Sequence, residues 1–219
     1  MKISILTIFR AVSKLNHHEK IFFNSDNIVI SFNSFPQTIK YGIKAGPNIS
    51  NLNGYYNGAA EGSLTNFAAG GLANIFVSNI FFIEPELLFS GKANNTAKLY
   101  YVEIPVDIML KEPFESSDLY FGLGPYLGIG IAGNIQKFNY YNNEPVNTFS
   151  KIKFGNSAND DFKKIDFGLN LKTGIQLDMG AFVSLNYSLG LTDITPSVAT
   201  AKNRYLGISV GFMFGNHMK

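Results

Sequence analysis

In residues 206–214 every second side chain is large and apolar: Leu206, Ile208, Val210, Phe212 and Phe214 share one face of an extended chain, and Gly207, Ser209, Gly211 and Met213 share the other. Only a β-strand sends successive side chains to opposite faces, so a period of two marks a strand between unlike environments. The pattern repeats along the chain. Residues 165–177 set Ile165, Phe167, Leu169, Leu171, Ile175 and Leu177 against Asp166, Gly168, Asn170, Lys172, Gly174 and Gln176, with Thr173 breaking the apolar row. Residues 183–191, 121–131, 100–111 and 81–90 alternate in the same way, and 41–50 and 67–77 do so more weakly, the latter too rich in Ala and Gly for its faces to be assigned. These make eight predicted strands with no convincing helix between them. An open sheet of this kind leaves two unpaired edges, and closure into an up-and-down barrel removes them.

Two closed barrels fit an alternating pattern. A soluble ligand-binding barrel turns its large apolar residues inward, and a membrane barrel turns them outward. The small face decides between them. Its Gly, Ser and Asn residues are too small and too weakly charged for the outside of a soluble barrel, which carries many Lys and Glu. Inside a narrow eight-strand lumen they leave room for large residues such as Tyr126, Glu84 and Lys172. Apolar rows of five or six residues also match the hydrocarbon band of a bilayer. The expected fold is therefore all-β, an eight-stranded antiparallel up-and-down transmembrane β-barrel.

Connection lengths agree with this. Residues 77–79 and 178–180 are tight links and 112–118 a moderate one, whereas 51–66, 91–97, 134–161 and 192–202 read as longer loops. Short turns on one side and long loops on the other are the habit of outer-membrane barrels. The longest loop, with Tyr140 and Tyr141, reads as a polar and aromatic surface segment rather than a packed element.

Composition removes several functions. The chain has 219 residues, 46% hydrophobic and 16% charged, enough for one core and too apolar for disorder. Without cysteine there is no disulfide scaffold, thiolate metal site or cysteine nucleophile. Four of the 18 cations and two of the 16 anions fall within residues 1–37, which leaves a body with 14 of each and no charge to attract nucleic acid. No run approaches the ~18 to 20 apolar residues of a spanning helix.

Residues 1–37 read differently from the rest. Lys20-Ile21-Phe22-Phe23 resembles the start of a secretory signal, but Asn24, Ser25, Asp26 and Asn27 interrupt its apolar core and Pro36 stands where a small residue belongs. The segment reads as a degenerate signal cleaved near Gln37, as a start or frame error upstream of it, or as a disordered leader. His17 and His18 have no third ligand nearby and read as solvated residues. Residues 38–219 are then a single barrel domain.

Four motifs in order, Gly42-Ile43-Lys44-Ala45-Gly46-Pro47-Asn48-Ile49-Ser50, Glu84-Pro85-Glu86-Leu87-Leu88-Phe89-Ser90, Val102-Glu103-Ile104-Pro105-Val106 and Gly122-Leu123-Gly124-Pro125-Tyr126, resemble the Bacteroidetes outer-membrane β-barrel family related to the PorT proteins. The resemblance spans about residues 41–214. It implies export, eight transmembrane strands and the outer membrane of a Gram-negative bacterium, with outer-membrane lipid and lipopolysaccharide as surroundings. It implies little about activity, and assistance to secretion belongs to one branch. Phe212 or Phe214 resembles the terminal aromatic of an assembly signal, which residues 215–219 overhang.

The predicted inner face collects Lys44, Glu84, Glu86, Glu103, Asp107, Lys111, Asp166 and Lys172. Charges in a narrow lumen must be paired or hydrated, so the expectation is a structural network of neutralising pairs. The sharper alternative makes Glu84, Glu86, Glu103 and Asp107 a proton path or an acid–base pair. Histidine occurs only at 17, 18 and 217, outside the predicted strands, and Gly122, Gly124, Gly128 and Gly130 keep a strand's period rather than the turn of a phosphate loop. No catalytic residue, cofactor or metal is expected. The leading reading is a non-enzymatic envelope or loop-presenting barrel. The alternatives are a secretion-accessory barrel binding a protein partner through Tyr55, Tyr56, Tyr140 and Tyr141, and a soluble lipid-binding barrel.

Overall fold

A computed structural model describes residues 39–53, 62–78, 80–141, 144–196 and 200–215. The strands are β1 (Ile39–Asn53), β2 (Leu64–Phe76), β3 (Phe81–Ala93), β4 (Ala97–Phe114), β5 (Ser117–Tyr141), β6 (Glu144–Lys151), β7 (Ile165–Leu177), β8 (Ala181–Gly190) and β9 (Lys202–Phe214). Every neighbouring pair is antiparallel, β4 pairs with β5, and β1 pairs with β9, so β1, β2, β3, β4, β5, β7, β8 and β9 form a closed eight-stranded wall. The ninth strand, β6, is not part of the wall. Among the described residues it pairs only with the last part of β5, Asn134 opposite Lys151 through Tyr141 opposite Glu144, and the two form a hairpin beyond the barrel.

The faces divide by polarity. Ile108 and Leu87, on the outer face of β4 and β3, are 62% and 59% exposed, while Asp107 and Glu86 beside them are 0% and 3% exposed. An apolar exterior around a charged interior is stable only where the exterior solvent is hydrocarbon. It also rules out the soluble lipid-binding barrel, which needs an apolar interior to hold a ligand. The faces of β2, unassigned from the sequence, are settled by its partners: Ala68, Leu72 and Asn74 are buried inward, and Phe67 is exposed.

Size complementarity explains the glycines of the inner face. Tyr126 stands opposite Gly168, Tyr120 opposite Gly174 and Phe182 opposite Gly211. In each pair a Cβ on the glycine would strike the facing ring. Each large inward side chain thus lies across a neighbour that has none, which lets eight strands close around a filled lumen.

The strands run further than the hydropathy pattern. The predicted loop at 91–97 is a three-residue turn between Ala93 and Ala97, closed by Asn94 Oδ1, which accepts the backbone N–H groups of Thr96 at 3.0 Å and Ala97 at 2.8 Å. The moderate link at 112–118 is a two-residue turn at Glu115 and Ser116, with Glu115 at φ 53°. The expected unpacked loop at 134–161 contains the β5–β6 hairpin. All three departures have one cause: beyond the apolar band both faces of a strand meet polar surroundings, so pairing continues where alternation stops.

Candidate functional site

The barrel interior is the chemically distinctive region. Its buried charges among the described residues are Lys44, Lys92, Lys111 and Lys172 against Glu84, Glu86, Glu103, Asp107 and Asp166. Strand parity puts them there, since inward positions recur every second residue on strands that tilt around a narrow lumen.

They form two layers. Towards the short-turn end, Lys172 of β7 reaches across the lumen to Glu84 at 2.9 Å, Asp107 at 2.9 Å and Glu86, which also takes Lys44 at 2.6 Å. Asn74 donates to Glu84 at 2.8 Å, and Asn170 donates to Asp107 at 2.8 Å. Lys111 stands at the rim of this layer, where its ammonium donates to Gln176 at 2.9 Å and lies 4.7 Å from the centre of the Phe82 ring. A residual cavity of about 10 Å³ among these side chains has room for roughly one water.

Towards the long-loop end, Lys92 of β3 is 1% exposed and pairs with Glu103 and, at 3.1 Å, with Asp166. Its ammonium is ringed by Tyr101, Tyr126 and Tyr205 at 5.0, 4.7 and 5.6 Å from their ring centres. Asp166 also accepts from Tyr126 at 3.0 Å, Asn203 at 2.7 Å and Thr192 at 3.2 Å. The layers meet at β8, where Ser188 donates to Asn170 at 3.0 Å and sits opposite Tyr205. Glu103 and Asp166 therefore belong to a cluster centred on a lysine that the sequence reading assigned to a loop. Lys92 continues the inward parity of Glu84, Glu86 and Ser90, and that parity was the available signal.

Above Lys92 the mouth is filled by an apolar cap. Leu52, Leu99, Tyr101 and Ile135 from the wall pack with Phe162 and Ile194 from the loops, the last two fully buried. A backbone bond ties the two loops together, Lys163 N–H to the Ile194 carbonyl at 2.7 Å, and Ile194 N–H to the Ala201 carbonyl at 2.9 Å closes the second loop on itself. Asp193 fixes the second loop: its Oδ1 accepts the N–H groups of Thr195 at 3.1 Å and Ala201 at 2.9 Å and the Thr195 hydroxyl at 2.8 Å. Partial burial works against its charge, but these donors hold the carboxyl below the ordinary range.

Among the described residues the barrel interior thus offers ion pairs, and its buried charged residues are at most 9% exposed. Among the described residues no group of three or more His, Cys, Asp or Glu is arranged to hold a metal ion. Of the tyrosines expected at a partner surface, Tyr55 and Tyr56 lie outside the described residues, as do His17, His18 and the rest of 1–37. Tyr140 and Tyr141 lie in the distal part of β5, their side chains outside what is described.

The family model for the outer membrane protein beta-barrel domain matches residues 31–196. Solved structures similar to this chain include Neisserial surface protein A (14% identity, 80% of this chain and 97% of that one, TM-score 0.47). They also include Ail, the attachment invasion locus protein of Yersinia pestis (12%, 80% and 98%, TM-score 0.46), and OprG of Pseudomonas aeruginosa (10%, 81% and 97%, TM-score 0.42). No curated protein matches the chain.

Proposed function

Because the chain belongs to the outer membrane protein β-barrel domain family, we propose that it is a non-enzymatic outer-membrane barrel that holds a crown of loops at the cell surface. The observation that carries this reading is the filled interior. Charge-paired layers occupy the lumen and an apolar cap occupies its mouth, so no substrate reaches the carboxylates Glu84, Glu86, Glu103 and Asp107. The same lysines that neutralise them hold the barrel in register, so Lys44, Lys172, Asp166 and their partners act as a structural plug. The long-loop end faces outward in this reading, with lipid around the wall.

The β5–β6 hairpin favours a second component, contact with a protein partner. It extends beyond the wall as paired backbone rather than as loose chain, and an ordered arm loses less entropy on docking than a loop does. The finer resemblance to PorT-related barrels of Bacteroidetes, and with it a secretion-accessory role, rests on the four sequence motifs.

Replacing residues 137–149 by a short Gly-Ser link tests both parts. The shortened protein should remain folded by gel mobility before and after heating, and give no steady conductance in planar bilayers. Surface crosslinks made by the native protein should disappear. Crosslinks that survive the replacement would refute the hairpin as the contact, and steady conductance by the native protein would refute the plug.

A further inference from the structure

Between the two charge layers lies a polar level that the ion pairs leave unserved. Asn48 of β1 and Asn186 of β8 stand on either side of Gly207, each in register with it from an opposite edge of β9. Asn48 is 2% exposed, and neither its Oδ1 nor its Nδ2 has a hydrogen-bond partner. Asn186 donates through Nδ2 to Ser184 at 3.1 Å and Ser209 at 3.2 Å, which leaves its buried Oδ1 without a donor. Ser50, the next inward residue above Asn48, spans β2 to the backbone of β3, donating to the Ala93 carbonyl at 3.1 Å and accepting the Ala93 N–H at 2.6 Å. Beneath that contact Ser90 is fully buried, and its hydroxyl has no partner either. It stands on β3 between Glu86 of one layer and Lys92 of the other. The residues between these three are small: Gly207 on β9, and on β2 Ala68, which lies opposite Ser90. The nearest atoms to a Cβ on Gly207 belong to Pro47 and Asn48, whereas Gly168, Gly174 and Gly211 face rings.

An unpartnered buried polar atom is costly, and folded interiors satisfy it with a ligand or ordered water. Charge selects the occupant here. Among the described residues the buried lumen holds five carboxylates, Glu84, Glu86, Glu103, Asp107 and Asp166, against four ammoniums, and Lys111 spends its own on Gln176. An interior with one negative charge in excess draws in a cation and repels an anion. The atoms on offer are amide and hydroxyl oxygens, neutral and hard, which suit an alkali cation. We infer that Asn48, Asn186 and Ser90 form a site for one partly hydrated monovalent alkali cation, held between the layers of the plug. The ion takes the two Oδ1 atoms and the Ser90 oxygen, a water it retains accepts from Asn48 Nδ2, and its charge completes that of the lumen. The site depends on the filled interior and not on which end of the barrel faces out.

The test uses the full chain folded in neutral detergent, with the midpoint of thermal unfolding by circular dichroism as readout. At fixed ionic strength and fixed chloride, replacing choline by sodium or potassium should raise the midpoint of the native protein and then saturate, as for a ligand bound by the folded state alone. Asn48→Asp should lower the cation concentration for half of this effect by about tenfold or more, and Asn48→Leu should remove the dependence. A purely structural Asn48 would shift the midpoint in both variants and leave the cation dependence as it was. Crystals of the native protein soaked in thallium(I) acetate keep the test decisive should the variants fold poorly: one anomalous peak in contact with Asn48 and Asn186 is expected. Equal midpoints in choline and alkali salts, a dependence that follows chloride, the native dependence retained in Asn48→Leu, or only water beside Asn48 in the soaked crystal would overturn the site.

Discussion

Lys92 shows how much one buried side chain decides here. Its ammonium offsets two carboxylates, Glu103 and Asp166, inside a ring of three tyrosines. Removing one member of such a group leaves uncompensated buried charge, a larger penalty than the group's own net contribution. Lys92→Met should therefore lower the unfolding free energy by about 3 to 5 kcal/mol, measured by urea unfolding in micelles. Adding Glu103→Gln and Asp166→Asn should recover most of the loss. No recovery in the triple variant would show that Lys92 acts through packing rather than charge. The charged residues Lys44, Glu84, Glu86, Asp107 and Lys172 were readable from the sequence because each has a large apolar neighbour, Ile43, Ile83, Leu87, Val106 and Leu171 respectively, that reveals its parity. Gly91 and Ala93 flank Lys92 instead, and a lysine between small residues carries no contrast that tells inside from outside.

At the scale of elements, the wall and the crown answer to different forces. Wall strands were legible because a bilayer and a polar lumen impose opposite demands on alternate residues. The described crown segments, 144–164 and 191–196, lack that contrast and are held by backbone pairing, by Phe162 and Ile194 in the cap, and by local carboxylate bonds that hydropathy does not register. Asp193 makes the crown sensitive to acid. Its folded pKa lies below the unfolded value of about 3.9, so its contribution is present above that pH and is lost as pH falls through the folded pKa. Asp160, which accepts the Ser157 N–H at 2.9 Å, is lowered chiefly by that bond and adds in the same direction. Hydrogen exchange should show the Thr195 and Ala201 N–H groups losing protection as pH falls below about 4 while β7, β8 and β9 stay protected. Asp193→Asn should abolish that change, and an unaltered profile in the variant would assign the acid response elsewhere.

At the scale of the molecule, the two ends differ in length of connection, and the proposed function depends on which end faces out. The native chain has no cysteine, so single introduced thiols report cleanly. Ser157→Cys should react with a membrane-impermeant maleimide on intact cells, and Glu115→Cys only after the outer membrane is permeabilised. The reverse result would invert the molecule and overturn the proposed display of the long-loop end. Closure has a consequence for biogenesis. The seam is made by β1 and β9, with Ile43 opposite Phe212, so the first wall strand waits for the last before either loses its free edge. Such a ring gains little from partial synthesis. Any chain ending before β9 carries two unsatisfied borders into the periplasm, where they invite strand exchange with other unfinished chains. Completion is therefore a single late event, and the stretch of time between export and that event is when this protein is most exposed to aggregation and proteolysis.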